Sequence, residues 1–201
     1  MQINSNIDVQ NSYFSHKIRK ATTHEYHALP SAVTKGKEGE GEFLGLTMLP
    51  EEGKLQVYGM RAMLSDKSTP DNPIVQIVSN LDGKKEVFDI DISNVDPENA
   101  SRMEMFALCS YADKYGNGTG STFGSFQTFK IYEETAKQNG YINQVDESVS
   151  AWDQFRNEKV DWIKINEDVL NILKSFKDPK IMDLFCKGQK LSNLYSKYHN
   201  K

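Results

Sequence analysis

The spacing of hydrophobic residues changes partway along the chain, from alternation to a helical period of roughly 3.6. From Lys54 to Leu64, Leu55 and Val57 fall on one face while Gln56 and Tyr58 fall on the other, and Ile74 to Val78 follows as a second apolar run. Both predict strands. Between them, Ser68-Thr69-Pro70-Asp71-Asn72-Pro73 is a turn, because its two prolines cannot donate to a strand ladder. Asp82-Gly83 predicts a type I′ hairpin turn, since glycine accepts the positive φ that this turn requires. The returning segment Val87-Phe88-Asp89-Ile90-Asp91-Ile92 alternates strictly. That pattern places Phe88, Ile90 and Ile92 in a core and Asp89 and Asp91 in water.

Helical signals take over at Asp96-Pro97-Glu98, a capping aspartate before a proline at the first helical position. Ala100 to Ala112 is apolar nearly all round, which predicts a helix central to its domain. The glycine-rich break Tyr115–Gly124 stops it. A second helix is predicted from Thr122 or Phe123 to Asn139, with Asn139-Gly140 as its left-handed stop. A third covers roughly Asp146 to Ile165 and a fourth Glu167 to Phe176. Asp178-Pro179 opens a short fifth that Gly188 ends, and Leu191 to Tyr198 forms the last, with apolar residues at i, i+3, i+4 and i+7.

Strands first and helices afterwards predict an α+β fold, a small antiparallel sheet of three or more strands packed by a helical C-terminal half. Residues 1–50 read as loosely ordered, with Phe43-Leu44-Gly45-Leu46 as a short strand. Within them Lys35–Glu42 alternates charge with glycine and reads as a mobile loop that buries nothing. Residues 51–145 form the expected core and 146–201 a helical subdomain packed on it.

Composition narrows the functional classes. A chain of 201 residues, 38% hydrophobic, is long enough to bury a core without disulfides or metals. Its net charge of −4 argues against a globally basic nucleic-acid binder. Charge is uneven, though: from Lys159 onward nine lysines face five acidic residues, net +4, which leaves −8 on the remainder. A solvated helical face is the plainer account of this basic tail; contact with phosphates or with an acidic partner is the sharper one. Cys109 and Cys186 lie in apolar runs, which predicts buried free thiols. No run approaches the ~20 apolar residues of a membrane span, and the first residues lack the features of a secretory signal. The expected location is cytoplasmic, with export by a route that uses no cleaved signal as the alternative.

Motifs with chemical content are few. The glycine-rich break offers backbone N–H groups to an anion, with Gly118, Gly120, Ser121 and Thr122 as candidate ligand-binding residues and Lys130 nearby. It lacks the Gly-Lys-Ser/Thr of a phosphate loop, and a helix precedes it where a dinucleotide fingerprint needs a strand. His24 and His27, three apart, with His16 beyond, fall short of a zinc set. Asp89 to Asn94 opens like a calcium loop, but Asn94 and Ala100 stand where glycine and glutamate are required. No nucleophile elbow occurs and no catalytic residue is assigned; no metal or cofactor is implied. Trp152, Phe155 and Trp162, beside Arg156 and Lys159, read first as core and second as a binding surface.

Tyr58-Gly59-Met60, Asn72-Pro73-Ile74-Val75, Asp96-Pro97 and Met105-Phe106-Ala107-Leu108 together resemble a loose group of uncharacterised proteins from Firmicutes, over about a third of the chain. The resemblance implies a Gram-positive source and no activity. The expected function is a non-enzymatic protein interaction domain whose helical half offers Arg156, Lys187, Lys190, Tyr195 and Tyr198 to a partner or a second copy. The alternatives are a small-molecule or anion binder, or an enzyme, using residues 116–124, and nucleic-acid contact through the basic helices.

Overall fold

The structure, a computed structural model, describes residues 32–50, 57–81, 84–116, 118–120, 122–123, 135–141, 150–176 and 178–199. Its architecture is α+β. Strands β1 (Val33–Lys35), β2 (Phe43–Pro50), β3 (Val57–Leu64), β4 (Ile74–Leu81) and β5 (Lys84–Asp91) form one antiparallel sheet in the order β1-β5-β4-β3-β2. β4 and β5 stay in register up to Leu81 opposite Lys84, leaving a two-residue connection. The Asp82-Gly83 pair expected to make it lies outside the described residues, as does Leu55.

One face of the sheet is apolar. Met60 and Ala62 of β3, Val75 and Ile77 of β4, and Phe88 and Ile90 of β5 are all buried there, each large side chain contributing roughly 1.5–3 kcal/mol. Helix α1 (Arg102–Lys114) lies on this face, and nine of its residues are buried, so protein surrounds it on most sides. It does not start at Asp96-Pro97. Those residues make a turn after a 3-10 turn at Ile92–Asn94, and β6 (Ala100–Ser101) follows before α1 begins. Ser101 is the N-cap: its hydroxyl accepts from Glu104 N while Glu104 accepts from Ser101 N at 2.6 Å. This reciprocal box satisfies two orphan donors and outcompetes the aspartate–proline signal.

The third and fourth expected helices are cut differently. Ser150 caps α2 (Ala151–Asn157), β7 (Lys159–Val160) pairs with β6, and Asp161 caps α3 (Trp162–Leu173) by accepting from Lys164 N at 2.8 Å. A strand pairing thus interrupts what apolar spacing alone joins. Helix α4 (Pro179–His199) runs unbroken through Gly188, overturning the expected stop there. Gly188 serves close packing: a Cβ on it would sit 2.8 Å from Leu170 Cδ2, and its carbonyl accepts from Asn166 Nδ2. Of the second expected helix, residues 122–123 and 135–138 are helical. Its stop holds, with Gly140 at φ 71 and Tyr141 N donating to Ala136 O, the wrap of a Schellman cap; residues 124–134 lie outside the described residues.

The opposite face of the sheet departs most from expectation. β1 and β2 occupy opposite edges, and the segment between them crosses the sheet. Four strand spacings amount to roughly 19 Å, and eight residue steps reach about 26 Å when extended, so the crossing is nearly straight. Gly36 N donates to Val87 O, Gly39 N to Gln76 Oε1 and Leu64 N to Glu42 O, fastening the strap to β5, β4 and β3 in turn. The glycines of the charge–glycine repeat allow close approach: a Cβ on Gly41 would overlap Leu64 O. Lys35–Glu42 is therefore a fitted strap rather than a loop that buries nothing. Beneath it Asp89, 6% exposed, is buried rather than turned to water. Beyond the strap, Phe43, Leu46 and Met48 lie exposed along β2, opposite Met63, Arg61 and Gly59.

Candidate functional site

The glycine-rich break does bind an anion, but the anion belongs to the chain. Gly120 N donates to Asp113 Oδ1 at 2.8 Å and Thr122 N to Asp113 Oδ2 at 2.7 Å; the Thr122 hydroxyl also donates to Oδ1. Thr119 N donates to Thr122 Oγ1, and Gly118 N to Ala112 O. The donors expected to meet a ligand at Gly118, Gly120 and Thr122 are thus committed to Asp113 and its neighbours. The signal was present in sequence as an aspartate at the end of α1, just ahead of the glycines. Ser121 and Lys130 lie outside the described residues, as do His16, His24 and His27.

The expected interaction surface divides. Tyr195 and Tyr198 are buried, facing the core instead of a partner, because they continue the apolar stripe of Leu191 and Leu194 along α4. Lys190 is exposed, and Lys187 pairs with Asp183 one turn away. Trp152, Phe155 and Trp162 are core residues. The thiols differ from each other: Cys109 is buried, and burial pushes its pKa far up, so it is a poor nucleophile. Cys186 is exposed, contrary to its apolar neighbourhood in sequence.

Arg156, of the expected surface, lines a concave site. A cleft of about 350 Å³ opens between the edge strand β1 and the end of α2, lined by Val33, Thr34, Lys35, Phe88, Arg156, Asn157 and Lys159. Three cations and no carboxylate line it, in a protein whose net charge is −4. The register of β1 against β5 sets Lys35 opposite Phe88, which puts both side chains on the cleft side of the sheet. Pairing of β6 with β7 brings Lys159 beside them.

The Arg156 guanidinium lies 5.8 Å from the centre of the Phe88 ring and 5.9 Å from that of Trp152, within cation–π range of both. Its Nη2 donates to Asp153 Oδ1 at 2.8 Å, whereas its Nε is buried without a hydrogen-bond partner. A buried unsatisfied donor costs roughly 1–3 kcal/mol. The surrounding carboxylates are committed: Glu86 accepts from Trp152 Nε1 and Glu104 pairs with Lys159. Lys35 has no carboxylate partner among the described residues. Arginine, with its flat donor fork, and two lysines suit a carboxylate or phosphate group. Sequence reasoning singled out Arg156 and Lys159, but not Lys35 or Phe88, because only sheet pairing brings β1 to α2.

No family model matches the chain, and neither a curated protein nor a solved structure matches it. Among the described residues no helix is long and apolar enough to cross a membrane.

Proposed function

We propose that this protein is a non-enzymatic binding module that recognises an acidic protein partner, whose carboxylate sits in the cleft of Lys35, Arg156 and Lys159. The observation that carries this reading is the lining of the cleft, where Lys35, Arg156 and Lys159 gather without a carboxylate and Phe88 and Trp152 lie in cation–π range of the Arg156 guanidinium. The cleft is open and lies at a sheet edge, so it admits a side chain or chain terminus presented by a larger molecule. Its volume sits at the small end of the roughly 300–1,000 Å³ typical of ligand pockets.

Titration with a short glutamate-rich peptide, followed by Trp152 fluorescence and by calorimetry at low salt, tests the reading. Binding that weakens as salt rises and falls at least tenfold in Arg156→Gln and Lys35→Glu is expected. Free glutamate and inorganic phosphate form the comparison arm. Tighter binding of either than of the peptide would make the protein a small-anion receptor instead. Peptide binding unchanged by both substitutions, or absent altogether, would overturn the proposal.

A further inference from the structure

We propose that Asp96, Glu98 and His199 form a binding site for a divalent transition-metal cation such as zinc. Asp96 and Glu98 lie two residues apart in one loop, His199 comes from the far end of α4, and their ligand atoms all lie within 4.8 Å of one another. His199 Nδ1 stands 3.2 Å from Asp96 Oδ1 and 3.5 Å from Glu98 Oε2. Donors bound at about 2.0–2.2 Å in a tetrahedral shell are separated by about 3.3–3.6 Å. The two separations from His199 Nδ1 therefore match those of donors sharing one ion, and the third falls within 4.8 Å.

The site is held on both sides. Trp162 pins the carboxylate loop twice, through its backbone N–H to Pro97 O at 2.9 Å and through its indole Nε1 to Ala100 O at 2.7 Å. Within the loop, Glu98 N donates to Asp96 Oδ1 at 3.1 Å and Asn99 N to Asp96 O at 2.9 Å, fixing where the Asp96 carboxylate points. His199 is positioned by the last turn of α4, whose Leu194, Tyr195 and Tyr198 are anchored in the core. One nitrogen with carboxylate oxygens suits zinc or manganese better than calcium or magnesium, which take oxygen ligands. Both carboxylates and the imidazole retain exposure, so water completes the shell and an ion can enter. A bound ion would fasten the end of α4 to the loop that precedes α1.

Zinc chloride titrated into the full-length protein, with thermal unfolding and calorimetry as readouts, tests the site. Zinc is expected to raise the melting temperature of the wild type, since an ion that binds only the folded state adds RT ln(1 + [L]/Kd). His199→Ala and Asp96→Asn should each weaken zinc affinity at least tenfold, with magnesium giving no comparable shift. Glu98→Gln, on an exposed side chain, provides a variant whose folding circular dichroism can verify. Perturbation of the His199 imidazole nitrogens in NMR spectra would place the ion directly. Zinc affinity equal in wild type and all three variants would overturn the proposal by assigning binding to other histidines or to Cys186. Failure of millimolar zinc to bind at all would do the same.

Discussion

Gln76 Nε2 donates to Asp89 Oδ1 at 2.7 Å on the strapped face of the sheet. The same amide group donates to Lys37 O at 2.9 Å, its oxygen accepts from Gly39 N, and Lys67 Nζ reaches Asp89 Oδ2 at 2.8 Å. This pair therefore joins two strands, the strap and the loop after β3 in one polar network. Asp89→Ala is expected to lower stability by about 1–3 kcal/mol, because the Gln76 amide loses a buried acceptor. Urea denaturation measures it, and a double-mutant cycle with Gln76→Ala should show coupling of at least ~0.5 kcal/mol. Additive effects would mean that the strap is held elsewhere.

Two glycines give opposite expectations for the same substitution. Gly41→Ala should destabilise by about 1–3 kcal/mol or more, since the new methyl would overlap the carbonyl of Leu64 and backbone has to move. Gly59→Ala, with nothing within 4 Å of the added carbon, should be neutral or stabilise by up to about 1 kcal/mol. Thermal melts of the two variants compared with wild type decide the matter.

Removing the internal anion should loosen the glycine-rich break. Asp113→Ala is expected to cost about 1–3 kcal/mol as the Gly120 and Thr122 amides lose their acceptor. Amide exchange should accelerate at Gly120 and Thr122 while the buried amides of α1 change little. Unaltered exchange at those two positions would mean that Asp113 does not organise the loop.

Alkaline pH should unfold the protein through groups that the fold keeps protonated. Burial raises the pKa of Cys109, Tyr111, Tyr141 and Tyr198 above their ordinary values, and for Tyr141 a hydrogen bond from its hydroxyl to Asp168 adds to the effect. A folded-state pKa above the unfolded one gives stability that is complete below the unfolded value and is lost as pH rises past it. The window therefore opens near pH 9.0, the ordinary thiol value, and deepens past 10.0, that of tyrosine. A melting temperature that falls steadily above pH 9, and falls less steeply in Tyr141→Phe, is the expected result. A flat profile to pH 11 would contradict it.

Local signals placed much of the framework. Strict alternation at Val87–Ile92 puts Phe88, Ile90 and Ile92 in the core, and the all-apolar run after Ala100 becomes the buried helix α1. Asp178-Pro179 opens α4, and Asn139-Gly140 stops a helix. Each is decided by a few neighbouring residues, through side-chain period, capping or a positive φ. Boundaries moved where two local signals competed, as when the Ser101–Glu104 box displaced the start at Asp96-Pro97.

The candidate sites were far less legible, because each joins neighbouring residues to one that is distant in sequence, and local spacing carries no trace of that junction. Lys35 meets Arg156 only because β1 pairs with β5 and α2 packs against that edge. His199 meets Asp96 only because α4 runs unbroken past Gly188. The charge–glycine repeat at Lys35–Glu42 has the composition of a linker; the opposite-edge placement of β1 and β2 turns it into a strap and buries Asp89 beneath it. By itself, the sequence determined the strand and helix periods, the caps, and hence the α+β class. Tertiary structure alone decided which polar groups became buried partners and which cations were gathered into a cleft, because those outcomes depend on strand order and helix packing, which no local pattern encodes.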